Sequence, residues 1–75
     1  MVITFTSMDG SVQYGMKCLQ TEIFAEVEEK FYKKYDNLRN TNNMFTANAK
    51  PTLRFKKLFE NNINPLDIIQ LIKLE

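Results

Sequence analysis

The amino-acid sequence predicts an α+β domain: a mixed sheet of four to five strands with one helix packed across one face. The expected element order is strand, strand, helix, strand, strand, strand. Three observations carry this. Residues 21–35 repeat large apolar side chains at helical spacing, with Phe24, Val27, Phe31 and Tyr35 in one stripe and Glu26, Glu29, Lys30 and Lys33 on the far side. Before them, two runs alternate with period two around an Asp-Gly pair. After them, short alternating runs are separated by Asn- and Pro-containing turns. A helix with a single apolar face needs a sheet to lie on.

Residues 2–7 set Ile3 and Phe5 on one face and Thr4 and Thr6 on the other, as a half-buried strand does. Asp9-Gly10 marks a hairpin, and residues 12–18 alternate again, with Val12, Tyr14, Met16 and Cys18 inward and Gln13, Gly15 and Lys17 outward. Such a hairpin is marginal until something covers its apolar face. The helix is that cover. Thr21 is the expected N-cap, without a capping box because Phe24 stands where Glu or Gln would. Glu26–Lys30 and Glu29–Lys33 have the favoured i, i+4 order, and Asp36-Asn37 ends the helix. A polar loop follows, anchored by Leu38. Residues 44–47 read as a strand, 48–51 as a turn and 52–55 as a second short strand. Residues 57–62 read as a helical turn that places Leu58 and Ile63 inward. A turn at 64–67 leads to a last strand, 68–74, with Ile69 and Leu71 facing the core.

Seventy-five residues make one domain, 1–75, and leave no room for a second. A formal net charge of +1 sets up no global field, so neither nucleic acid nor a membrane is expected as a partner. No apolar run is long enough to span a bilayer, and no leader is expected. Cys18 is the only cysteine and reads as a small buried hydrophobe; it suits an intracellular setting, cytoplasmic or nuclear. With no histidine, a zinc site and the usual catalytic triads are excluded; no metal, no cofactor and no enzymatic activity are expected.

The alternating start through Met1, Ile3 and Phe5, Gly10 in the first turn, and Thr21 before Phe24, Val27 and Phe31 together resemble the ubiquitin-like domain, the β-grasp fold. Leu58, Asn62-Ile63, Ile69 and Leu71 continue the resemblance, which covers nearly the whole chain. Conjugated members of that family end in Gly-Gly. This chain ends in Leu74-Glu75, so the resemblance implies a non-conjugated interaction module, an adaptor domain of a larger protein and a monomer. A modifier whose tail is missing is the alternative. The family's glycine after the third strand is Ala49 here.

Ubiquitin is read through an apolar patch on its sheet, and Met8, Thr46, Gln70 and Ile72 stand at the positions that look equivalent. Ile68 alternates with Ile69 and joins them on the exposed face. A protein partner is therefore expected at Met8, Thr46, Ile68, Gln70 and Ile72. The alternative, as in Ras-binding relatives of the fold, is an edge site along residues 12–18 with Lys17, Lys30 and Lys34 attracting acid. Lys50, Arg54, Lys56 and Lys57 surround Phe55 in the only basic cluster, which reads as a solvated edge. Glu26, Glu28 and Glu29 read as solvated too, although Glu28 sits near the apolar stripe.

Overall fold

A computed structural model describes residues 1–74. Its strands are β1 (Val2–Ser7), β2 (Gln13–Lys17), β3 (Asn43–Ala47), β4 (Lys50–Pro51) and β5 (Ile68–Lys73), and its helix is α1 (Phe24–Lys34). The five strands form one mixed sheet in the order β2-β1-β5-β3-β4. β1 and β5 run parallel at the centre, while the other pairs are antiparallel. With α1 across one face, this is the expected β-grasp arrangement, an α+β fold in ββαβββ order.

The inner face follows from strand alternation. Ile3 and Phe5 of β1, Met16 of β2, Phe45 and Ala47 of β3, and Ile69 and Leu71 of β5 are all buried. α1 lays Phe24, Val27 and Phe31 onto them, each fully buried, while Tyr35 packs half-buried at the helix end. Phe31 is the hub: its ring lies 4.7 Å from Phe5, 4.9 Å from Tyr35 and 5.4 Å from Phe45. Leu38, Leu58 and Ile63 close the ends of the core, as their spacing implied.

Several local expectations give way. Thr21 does not cap the helix; Ile23 occupies the N-cap position and makes no side-chain cap hydrogen bond. Backbone carbonyls from a distant segment do the work: Phe24 N–H donates to Lys56 O at 2.9 Å and Ala25 N–H to Arg54 O at 2.8 Å. This also explains why 52–55 is not a strand. Its Arg54 carbonyl is committed to α1 and its Leu53 carbonyl to Lys56 N–H and Asn61 Nδ2, so the strand pairs end at Thr46↔Pro51 and Ala47↔Lys50, with one further hydrogen bond from Thr52 N–H to Phe45 O at 3.0 Å. The turn is therefore only Asn48-Ala49, both with positive φ (54° and 65°), the geometry of a tight two-residue hairpin. Ala49 takes the glycine's conformation without being glycine. The ion pairs also differ: Lys30 reaches Glu22 at 2.6 Å and Glu29 takes Arg39 at 2.8 Å, so neither expected i, i+4 pair forms. The first turn of the helix begins later than expected, which leaves Glu22 in the preceding loop, free to accept from both Leu19 N–H (2.7 Å) and Lys30. β5 stops at Lys73, and Leu74 lies beyond it, its N–H donating to Asn42 O at 2.9 Å.

Candidate functional site

The face of the sheet turned away from α1 collects the five expected partner-binding residues. Strand register sets them side by side: Thr46 of β3 opposes Gln70 of β5, which opposes Thr6 of β1. Met44 opposes Ile72, and Ile68 opposes Thr4. Because Ile69 and Leu71 point inward, Ile68, Gln70 and Ile72 must point outward. Ile68 is 56% exposed, Gln70 is exposed and Ile72 half-buried. Met8 lies just past the end of β1, 87% exposed, and shares a shallow depression of about 240 Å³ with Ile72. Thr46 is buried, because Ile68 and Gln70 flank it; it forms the floor of a second depression of about 440 Å³. Its methyl and hydroxyl shape that floor and offer little surface of their own.

Sequence reasoning missed one major member. Leu66 lines the same depression as Thr46, Ile68 and Gln70 and is 80% exposed. Its φ of 70° is a conformation that bulky residues avoid. Here the backbone is held by Leu66 N–H donating to Val2 O at 2.8 Å. An Asn-Pro-Leu-Asp turn signals only a bend, so nothing in the local sequence marks the leucine. Met44 was legible by alternation with Phe45 and belongs to the same face.

The Met8 end of the face is pinned by Asp9. Its carboxylate accepts from Ser7 Oγ at 2.7 Å, Ser11 N–H at 3.0 Å and Ser11 Oγ at 2.7 Å, and Lys73 Nζ stands at 3.4 Å. The Ser7 and Ser11 hydrogen bonds hold this carboxyl well below the usual carboxylate range. Gly10, at φ 77°, completes the turn.

The alternative edge site has a different character. Cys18 N–H donates to Met1 O and Ser7 N–H to Val12 O, so Val12, Tyr14, Met16 and Cys18 spend their backbone groups on β1. Gln13, Gly15 and Lys17 turn theirs outward along an unpaired edge. The opposite edge is nearly closed, being two residues of β4 with Pro51 lacking an N–H. Lys17 and Lys30 line one depression with Val2 and Leu19, while Lys34 lies apart, 6.0 Å above the Tyr14 ring. Lys30 is tied to Glu22, which leaves Lys17 as the freer cation of that pair. Cys18 is buried beside this edge, and burial raises its thiol pKa, which is the behaviour of a packed residue and not of a nucleophile.

On the helix side, Glu28 is buried against Arg54, whose Nε lies 3.1 Å from Oε1. Burial raises the carboxyl pKa, with Arg54 pulling the other way. The pair lines a cleft of about 360 Å³ with Tyr32, Arg39 and Asn43. Arg39 is committed to Glu29 and Asp36, and Arg54 to Glu28, so the charges lining the cleft are paired. Among the described residues no group of His, Cys, Asp and Glu could hold a metal ion. Among the same residues no helix is long and apolar enough to cross a membrane.

Comparison with protein-family models and with curated proteins finds no match to this chain.

Proposed function

We propose that this chain is a ubiquitin-like protein-interaction module, an intracellular adaptor domain that binds a protein partner through the sheet face opposite α1. The observation that carries this reading is the concentration of apolar side chains there: Met8, Leu66 and Ile68 stand 87%, 80% and 56% exposed on one face, with Ile72 and Met44 between them. Scattered single apolar residues need no explanation, but neighbours on one sheet face with polar Gln70 set among them have the make-up of a contact site. Leu66 strengthens the case, because an exposed leucine in a left-handed conformation is unfavourable for the isolated domain. The patch is smaller than a standard interface, so affinity in the micromolar range is expected.

The test is site-specific photo-crosslinking in the cell of origin. A photoreactive phenylalanine at Gln70 is expected to trap a discrete protein adduct that disappears when Ile68→Asp is added. The same probe at Lys33, on the solvent side of α1, gives none. Equal adducts from both positions, or none from Gln70, rule out the sheet face.

A second reading is favoured by one feature, the open edge of β2. An acidic extended segment could pair with Gln13, Gly15 and Lys17 by strand addition. That mode predicts partner binding that weakens strongly with salt and is lost in Lys17→Glu. Binding through the sheet face is insensitive to both.

A further inference from the structure

We propose that the exposed turn between Leu53 and Phe59 is a contact site for single-stranded nucleic acid, independent of the sheet-face reading. Sequence alone gives this basic cluster to solvent; the fold adds where its side chains stand. Phe55 is 80% exposed, Leu53 56% and Phe59 50%, so three apolar residues project from one short segment. Cations accompany the rings: the Arg54 guanidinium lies 5.5 Å from the Phe55 centroid and the Lys57 ammonium 5.8 Å from that of Phe59. Among the described residues Lys56 and Lys57 form no ion pair, and Arg54 has one, made through Nε to Glu28, which leaves its terminal N–H groups outward.

The display is held in place by the backbone. Asn61 Oδ1 accepts from Leu53 N–H at 2.7 Å while its Nδ2 donates to Leu53 O at 3.1 Å. Lys56 N–H closes a turn onto Leu53 O at 3.1 Å, and Glu60 Oε1 accepts from Lys57 N–H at 2.8 Å. The carbonyls of Arg54 and Lys56 are fastened to the start of α1. Phe55 is therefore presented, not left over from a loose loop.

The chemistry selects the ligand. Phe55 and Phe59 stand outside the clefts described above, with their rings on the exposed surface. Two exposed rings, each with a cation over one face and the other face left for stacking, match unstacked nucleobases and their phosphates, a pairing that tolerates any sequence. The segment carries neither a helix nor a strand able to enter a duplex groove. With three cations engaged, the logarithm of affinity should fall against that of salt with a slope of about −2.

The experiment is fluorescence anisotropy with a labelled oligothymidylate of about twelve nucleotides. Saturable binding with a Kd of about 100 μM is expected at about 50 mM salt, fading by about 200 mM. Phe55→Ala should weaken it about tenfold, and Phe55→Leu, which keeps apolar bulk without a π-face, should do the same. Lys56→Glu with Lys57→Glu should remove it, and Lys56→Gln alone should weaken it and lower the salt slope by somewhat less than about 1. Amide NMR spectra of each variant, unchanged outside 53–59, separate loss of the site from loss of the fold. No binding at low salt overturns the proposal. So does unchanged affinity in both Phe55 variants, tighter binding of a duplex of equal length, or equal binding of a glutamate decapeptide, which would make the patch an acidic-protein site.

Discussion

Glu28 and Leu66 both occupy positions that work against the stability of the domain. Glu28 is charged and buried, and its folded pKa is raised above the unfolded value because burial outweighs the Arg54 partner. A raised carboxyl pKa means that the folded state binds the proton more readily. The ionised group is therefore a penalty above the folded pKa, and that penalty vanishes as pH falls below the unfolded value near 4. Glu28→Gln keeps an acceptor for Arg54 and removes the charge. It should melt higher than the natural chain at neutral pH, with the difference gone by about pH 4 in thermal scans. Asp9 behaves in the opposite sense: its folded pKa is depressed, so its contribution is present above about pH 4 and is lost as pH falls toward the folded value. Asp9→Asn should therefore lose less stability than the natural chain between neutral and acid pH. Leu66 offers the cleanest separation of folding from binding. Leu66→Gly relieves a φ of 70° and should stabilise the domain by about 0.5–1 kcal/mol while weakening partner binding. Lost stability would show that the leucine is there for packing, and gained stability with binding intact would remove it from the contact site.

At the scale of elements, α1 depends on Phe31. Its ring touches β1, β3 and the helix end, so Phe31→Ala should cost about 3–5 kcal/mol in denaturant unfolding. The Asn48-Ala49 turn carries a smaller burden, and Ala49→Gly should raise stability by about 0.5–1 kcal/mol. These elements differ in how far the sequence discloses them. β1, β2, α1 and β5 were legible because their alternation or helical stripe records which side faces the core, and Ile68 and Ile72 follow from the same alternation, whereas Met8 and Gln70 came from the resemblance to the ubiquitin patch. The start of α1 and the extent of β4 were not legible. Both are decided by carbonyls of Arg54 and Lys56 meeting Phe24 and Ala25, partners some thirty residues away. Leu66 was hidden for a similar reason: a turn motif specifies a bend and is silent about a register in which Leu66 donates to Val2.

At the scale of the whole molecule, function is divided by geometry. α1 occupies one face of the sheet, and β4 with Pro51 nearly closes one edge. The outer face, the β2 edge and the 53–59 turn are what remains available. The three surfaces predict different salt responses, so a single titration of partner binding against ionic strength distinguishes the apolar face from the two cationic sites. The central pairing of β1 with β5 joins the two ends of the chain, since Phe5 lies opposite Ile69. The helix start adds a second tie of the same kind. Because α1 borrows its cap from residues 54 and 56, the first half of the chain does not contain the means to finish its own helix. A nascent chain leaving the ribosome must therefore wait for the turn at 53–59, and then for β5, before the aromatic core can close. A peptide of residues 1–50 should be largely unstructured by circular dichroism, and adding 51–75 in trans should restore helix signal only if the two pieces reassemble.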